Sequence, residues 1–266
     1  TKDGSRGFEA AGVIGYVQDQ LFAQFGKNWI FRSARGSAWN AMMIKRFKDL
    51  RYRIFYGALL RRGYEVITLC APGSICPWNI CPTGLKSSSV VYGGGIGSDI
   101  SFEHELVKKF GCQIVLFDPS PTGRKTMELP ENKIPNFHYF PMALADHVGT
   151  IKMSPPVDEQ GDSWFAQSGG TQSIEVPCTD LQSLMARNGH NHIDLLKLDI
   201  EGSEYEVIKD ILSKKIPIRQ ICVEYHHGIV PGVRRSQTIS SMLSLIRAGY
   251  KLIDQAGANH TFIRPA

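Results

Sequence analysis

Ser89-Val90-Val91-Tyr92-Gly93-Gly94-Gly95-Ile96-Gly97-Ser98-Asp99 runs from a β-branched segment into a cluster of glycines. Ile100–Phe110 beyond it has helical spacing. The order is strand, tight turn, helix. Glycine suits such a turn because the backbone can take φ > 0 and no Cβ stands between its N–H groups and a ligand. The helix N-terminus that follows adds oriented N–H dipoles, which favour negative charge. The stretch therefore predicts either a cradle for a nucleotide-type cofactor or a bare βα turn.

Outward from this turn, strand-like and helical segments alternate. Gln113–Phe117, Phe137–Pro141, Ile193–Leu198 and Arg219–Val223 read as strands. Helices are expected near 123–128, after the cap Thr179-Asp180, over Ser203–Leu212 and over Ser236–Ala248. Tyr250–Ile253 and Thr261–Ile263 form a terminal hairpin, and residues 149–176 a second one with a Gly/Ser/Gln-rich loop. This pattern predicts an α/β fold, an open and mainly parallel sheet with one antiparallel strand. Ligands in such sheets bind outside the carboxyl ends of the strands. The chemically notable residues fall at those ends: Gly93–Gly97, Asp118, Ala143–Asp146, Asp199–Gly202 and Glu224–His227.

Residues 1–88 read as a helical N-terminal extension or cap, with helices expected over 13–25 and 38–60 and a short strand at Glu65–Leu69. Residues 71–88, with Trp78, are expected as a loop; residues 89–266 form the main domain. The chain has 266 residues, 42% hydrophobic and 21% charged, enough to bury a sizeable core. Net charge is +5, with Arg46, Lys48, Arg51, Arg53, Arg61 and Arg62 clustered near the N-terminus. That cluster reads as a solvated helix face rather than a nucleic-acid or membrane surface. No run approaches the about 20 apolar residues that span a bilayer. The six cysteines include no CxxC pair and fit no zinc pattern, so free thiols in a reducing, soluble compartment are expected. Cys70, Cys76 and Cys81 share one loop, where a disulfide or a metal site is the alternative.

The cofactor follows from the acids. A dinucleotide fingerprint needs a third glycine where Ser98 stands, and no GxxxxGK[ST] loop exists. A carboxylate at the end of the second strand, Asp118, suits two ribose hydroxyls. S-adenosylmethionine has that ribose and no pyrophosphate; NAD stays as a further reading.

Val91–Gly97, Phe117–Ser120, Ala143–Asp146, Leu196–Glu204 and Val223-Glu224 together resemble FkbM-type methyltransferases, over residues 88 to about 255. The Lys197-Leu198-Asp199-Ile200-Glu201-Gly202 segment is the most specific part. The resemblance implies a Rossmann-like, seven-stranded class I sheet that uses S-adenosyl-L-methionine. It also implies methyl transfer, usually to a hydroxyl oxygen of a small molecule or sugar. Gly93, Gly94, Gly95, Gly97, Asp118, Pro119, Ala143, Asp146 and Asp199 are the expected cofactor residues. The family commonly carries an acid two residues before the first glycine. Val91 stands there, and Asp99 and Glu103 are the acids that could replace it.

Methyl transfer requires alignment and removal of the acceptor's proton. Asp199, Glu201, Glu224 and His226 are the candidate catalytic residues, with His227 beside them. The site is read without a metal, and Asp199, Glu224 and His226 are the alternative ligands of a divalent ion such as Mg²⁺. Lys197 is expected to pair with an acid across the sheet, and Asp194 to start its strand. A different class of function is a catalytically inactive subunit, serving as a scaffold or homo-oligomer through the basic extension.

Overall fold

A computed structural model of the chain describes residues 54–70, 77–155, 164–166 and 173–265. The glycine-rich stretch forms β3 (Val90–Gly94), preceded by β1 (Ile67–Leu69) and β2 (Trp78–Ile80) and followed by α1 (Ser101–Phe110). Then come β4 (Gln113–Phe117), α2 (Pro121–Glu128), β5 (Phe137–Phe140), β6 (Ala143–Leu144), β7 (Gly149–Ser154), β8 (Phe165–Ala166) and β9 (Ile174–Thr179). The chain continues through α3 (Leu181–Arg187), β10 (Ile193–Leu198), α4 (Glu204–Ser213), β11 (Ile218–Glu224), α5 (Arg235–Arg247), β12 (Lys251–Ala256) and β13 (Asn259–Ile263).

The main sheet has seven strands in the order β12-β13-β11-β10-β3-β4-β5. β13 runs antiparallel to both its neighbours, and every other strand points the same way. The order reverses between β3 and β10, which opens a crevice at their carboxyl ends. Local chemistry sets the element ends. Gly111 adopts φ 71 after α1 and returns its N–H to Val107. Asp180 Oδ1 caps α3 by accepting from the Ser183 N–H at 2.8 Å. The expected Asp194 role holds: its Oδ2 accepts from the Val90 N–H at 2.8 Å, tying β10 to the start of β3.

One face of the sheet carries an apolar cluster that includes Val91, Phe102, Leu106, Ile114, Leu116, Leu195 and Cys222. Trp78 and Ile80 from β2 belong to it. β1 and β2 pair as an antiparallel ribbon, and β2 docks on the sheet through polar contacts. The Cys81 N–H donates to Gln220 Oε1 at 2.6 Å, and Asn79 Nδ2 to Asp254 Oδ2 at 2.8 Å. This corrects one expectation and bears out another. Within the loop expected over 71–88, Trp78–Ile80 is a strand, whereas the strand expected at Glu65–Leu69 is present as β1. Pro77 and Pro82 bracket the Trp78–Ile80 strand and hide it, since proline is read as loop punctuation. The helix expected over 13–25 lies outside the described residues. Of the helix expected over 38–60, residues 54–59 are described and helical.

The excursion after β6 forms a second sheet in the order β6-β9-β7-β8. Its small core contains Ala143, Ala145, Met153, Val176 and Cys178, with Ile151 and Trp164 against them. Among the described residues Cys70, Cys81, Cys112, Cys178 and Cys222 are free thiols, and no helix is long and apolar enough to cross a membrane.

Trp78 is 1% exposed and stands 6.0 Å from the Phe102 ring. Trp78→Ala should therefore cost about 3–5 kcal/mol, the usual range for emptying a buried aromatic site. The measurement is a urea titration followed by circular dichroism. A midpoint equal to that of the parent chain would show that the ribbon is not anchored by this side chain.

Candidate active site

The carboxyl ends of β3, β4, β10 and β11 border a cavity of about 350 Å³. At its floor, Gly95 has φ +80, and a Cβ there would collide with the carbonyl oxygen of Asp199. No other residue type fits. The two strand-end loops meet at backbone distance, and this brings Asp199 beside the glycine turn. The Asp199 N–H in turn donates to the Gly94 carbonyl at 3.1 Å.

Asp118 ends β4 and lines the same cavity. Its Oδ2 accepts from the N–H groups of Ile96 and Gly97 at 2.8 and 3.0 Å. Its Oδ1 accepts from the Ser120 N–H at 2.7 Å. A carboxylate offers about four acceptor positions. Three are used by the backbone, so Asp118 clamps the turn and keeps room for one further hydroxyl rather than the expected two. Gly123, which the sequence reading passed over, makes this possible: a Cβ on it would lie 2.5 Å from the Asp118 carboxyl carbon.

Of the expected cofactor residues, Gly95, Gly97, Asp118, Pro119, Ala143 and Asp199 line the cavity. Gly93 and Gly94 do not. They lie inside β3, where a Cβ on Gly94 would strike the Phe117 ring and one on Gly93 would press on Leu116 and Glu103. Their glycines serve packing. Asp146 does not line it either. The chain turns outward after β6, and Asp146 bonds His147 Nδ1 at 2.8 Å with about half its side chain in solvent.

The candidate catalytic residues Asp199, Glu201, Glu224 and His226 all border the cavity. His226 is the hub. Its Nδ1 donates to Glu204 Oε1 at 2.8 Å, while Nε2 faces Glu201 Oε2 at 3.2 Å and Asp199 Oδ1 at 3.6 Å. Burial pulls this imidazole toward neutrality. The Glu204 hydrogen bond and the charges of Glu204, Glu201 and Asp199 outweigh it and hold its pKa up at about 9. The raised pKa favours the protonated, donating imidazole at neutral pH over the base that the sequence suggests. Glu204 is fully buried and also accepts from the Ile200 and Gly202 N–H groups at 3.1 and 3.0 Å. It was not among the expected site residues. An acid opening a helix reads as a dipole partner, which hides its reach to a histidine on another strand.

Glu201 has φ 50, left-handed backbone that side-chain-bearing residues seldom adopt. Gly202 follows at φ 102, and the tight turn aims the Glu201 carboxylate at His226. Glu224 differs from the others: its carboxylate has no hydrogen bond or ion pair among the described residues. Burial first, then the neighbouring Asp199 charge, push its pKa up to about 7. Burial likewise raises Asp199, against the pull of Lys197 and His226. Asp199, Glu224 and His226 each present a ligand atom, all within 4.8 Å of one another. That spacing could hold one divalent ion once His226 Nε2 gives up its proton, with Glu204 as the carboxylate behind the histidine. His227 is turned away and bonds Thr238 at 3.0 Å.

The remaining walls are apolar. Ile151, Met153 and Trp164 come from the second sheet, Ile229 from the loop after β11, and Trp78 from the ribbon. The sequence reading did not single out Trp164, which is one residue in a Gly/Ser/Gln-rich stretch. The arrangement therefore combines a backbone cradle, a carboxyl poised to take a proton near pH 7, a fixed imidazolium and an apolar recess.

The chain is 23% identical over 190 residues to the human "Probable methyltransferase-like protein 24", covering 67% of this chain and 45% of that protein. The match thus spans less than half of the curated relative. The Methanococcus jannaschii fibrillarin pre-rRNA processing protein superposes with a TM-score of 0.39 at 11% identity, over 67% of each chain. Aeropyrum pernix fibrillarin, solved with natively bound S-adenosyl-L-methionine, gives 0.37 at 12% identity, over 67% of this chain and 66% of that one. The methyltransferase FkbM domain model matches residues 93–252, from the glycine turn to the first strand of the terminal hairpin, and the chain belongs to this methyltransferase family.

Proposed function

We propose that this chain transfers a methyl group from S-adenosyl-L-methionine to a hydroxyl oxygen of a small molecule or sugar. One observation supports the reading above the rest. The glycine turn, Asp118 and a base-competent carboxyl face one cavity of about 350 Å³ at the switch point of the sheet. The residues fit the cofactor. A Cβ at Gly95 would fill the cradle, Asp118 keeps an acceptor position for a ribose hydroxyl, and Asp199 and Glu201 offer negative charge to a cationic methionine end. When bound, S-adenosyl-L-methionine supplies an electrophilic methyl on a sulfonium.

The chain's own task is to orient the acceptor and remove its proton. Glu224 takes that proton, because a base with a pKa near the working pH has the best combination of ionisation and proton affinity. His226 Nε2 faces the Glu201 and Asp199 carboxylates at ion-pair distance and offers its one proton between them. Ile151, Met153 and Trp164 exclude water and pack against the acceptor.

Isothermal titration with S-adenosyl-L-methionine is the first test, and the chain should bind it. Asp118→Ala and Gly95→Ala should each weaken binding at least tenfold, roughly 1.4 kcal/mol or more. Absence of binding to the parent chain at millimolar cofactor would favour the inactive scaffold instead.

The second prediction concerns pH. The Glu224 pKa is raised, so its base form appears as pH increases through about 7, and turnover should rise over the same interval. Glu224→Gln should abolish that rise. The stability sign is opposite. A carboxyl with a folded pKa above its unfolded value makes the fold less stable as pH increases from the unfolded to the folded value. At pH 8 Glu224→Gln should therefore stabilise the chain by roughly 1 kcal/mol, allowing for partial exposure. Denaturant titrations at pH 5 and pH 8 measure it, and equal gains at both would remove Glu224 as the titrating group.

A further inference from the structure

Glu103 on α1 and Lys197 on β10 are 1% and 3% exposed. Lys197 Nζ lies 3.3 Å from Glu103 Oε1 and donates to the Gly95 carbonyl at 2.9 Å. The same ammonium lies over the Trp78 ring, 5.4 Å from the centroid. Lys197 also borders the cavity, so one ammonium connects the cavity wall, the glycine turn and the ribbon. Glu103 Oε2 is buried with no hydrogen-bond partner among the described residues. A buried ion pair with an unsatisfied oxygen is a poor device for stability, since desolvation of both charges offsets their attraction. An apolar pair of similar volume would hold α1 against the sheet at least as well.

We propose that Glu103 and Lys197 are a positioning pair for the cofactor: Glu103 holds the Lys197 ammonium against the Gly95 carbonyl and thereby sets the glycine turn. This rests on the cofactor reading given above. The geometry assigns the role to Glu103 rather than Asp99. Asp99 Oδ1 accepts from the Ser101 N–H at 2.8 Å and so serves the start of α1. Lys197 pairs in register with Gly93, and Glu103 Oε1 lies 3.3 Å from where a Gly93 Cβ would stand. The acid thus reaches the turn from the helix, across a strand residue with no side chain to block it. Val91 is two residues back on the same face of β3, buried in the apolar cluster. An acid at 91 would approach Lys197 from the strand; this chain supplies the charge from α1.

The test relocates the charge. Full-length parent, Glu103→Gln and the double variant Val91→Glu/Glu103→Gln are titrated calorimetrically with S-adenosyl-L-homocysteine, and each is melted in parallel. Glu103→Gln should bind about tenfold more weakly or worse. Val91→Glu/Glu103→Gln should return to within about threefold of the parent, which a purely packing role for Glu103 does not predict. Unchanged affinity in Glu103→Gln overturns the proposal. So does a double variant that melts like the parent yet binds more weakly than that threefold limit. If Glu103→Gln does not fold, the double variant alone decides by the same limit. Failure of the parent chain to bind at all would overturn the cofactor reading and is distinct from every outcome above.

Discussion

The close approach of Gly95 to the Asp199 carbonyl is the constraint on which the site depends. It exists because β3 and β10 are neighbours whose following segments diverge, α1 on one side of the crevice and the turn before α4 on the other. With a side chain at 95 the two loops would separate and Asp199 would leave the turn. The contact is backbone to backbone, so its position follows from strand register and not from a rotamer. Asp118 then fixes the turn from the third side by accepting three N–H groups. The cradle is thus organised before any ligand arrives, which lowers the ordering cost of binding.

Around that rigid floor the charges are arranged unevenly. Asp199, Glu201 and Glu224 face the cavity, while Glu204 and Glu103 lie behind it. The cations are Lys197, held by Glu103, and His226, held by Glu204. Each cation is backed by a fully desolvated acid, and that leaves the front carboxylates under-compensated. Glu224 records the imbalance most clearly, because no donor reaches it among the described residues and its pKa rises to about 7. A cationic ligand would relieve the imbalance and an anionic one would aggravate it. The electrostatics therefore favour a positively charged ligand, such as a sulfonium methyl donor, over an anionic one.

The sheet was legible because its signals are local: β-branched runs ending in Gly, Asp or Glu, with caps such as Asp180 at the helix starts. Asp118, Asp199 and Glu224 could be placed at strand ends for the same reason. What failed was whatever depends on a neighbour distant in sequence. Trp78 is an aromatic between prolines until β2 is seen against Phe102 and Lys197. His226 looks like a base until three carboxylates surround it. Asp146 sits in a motif that resembles a ligand-binding one, yet motif spacing does not say on which side of β6 its side chain emerges. Gly93 and Gly94 belong to a glycine cluster whose members look alike in sequence and differ only in what a Cβ would strike.

The recess proposed for the acceptor shows the same division at a larger scale. Its floor is made of motif residues on the main sheet, but its walls come from Trp78 of the ribbon and from Ile151, Met153 and Trp164 of the second sheet. Both are additions to the parallel sheet, and neither carries a charged group into the lining. A floor of carboxyls beneath apolar walls orients an acceptor by one polar end while its body is desolvated. In the proposed reaction, proton removal by Glu224 needs that dryness, since the burial that excludes water is also the largest cause of its raised pKa. The wall residues therefore act on the chemistry without touching the reacting atoms: widening the recess at Met153 or Trp164 would admit water, lower the Glu224 pKa and weaken the base.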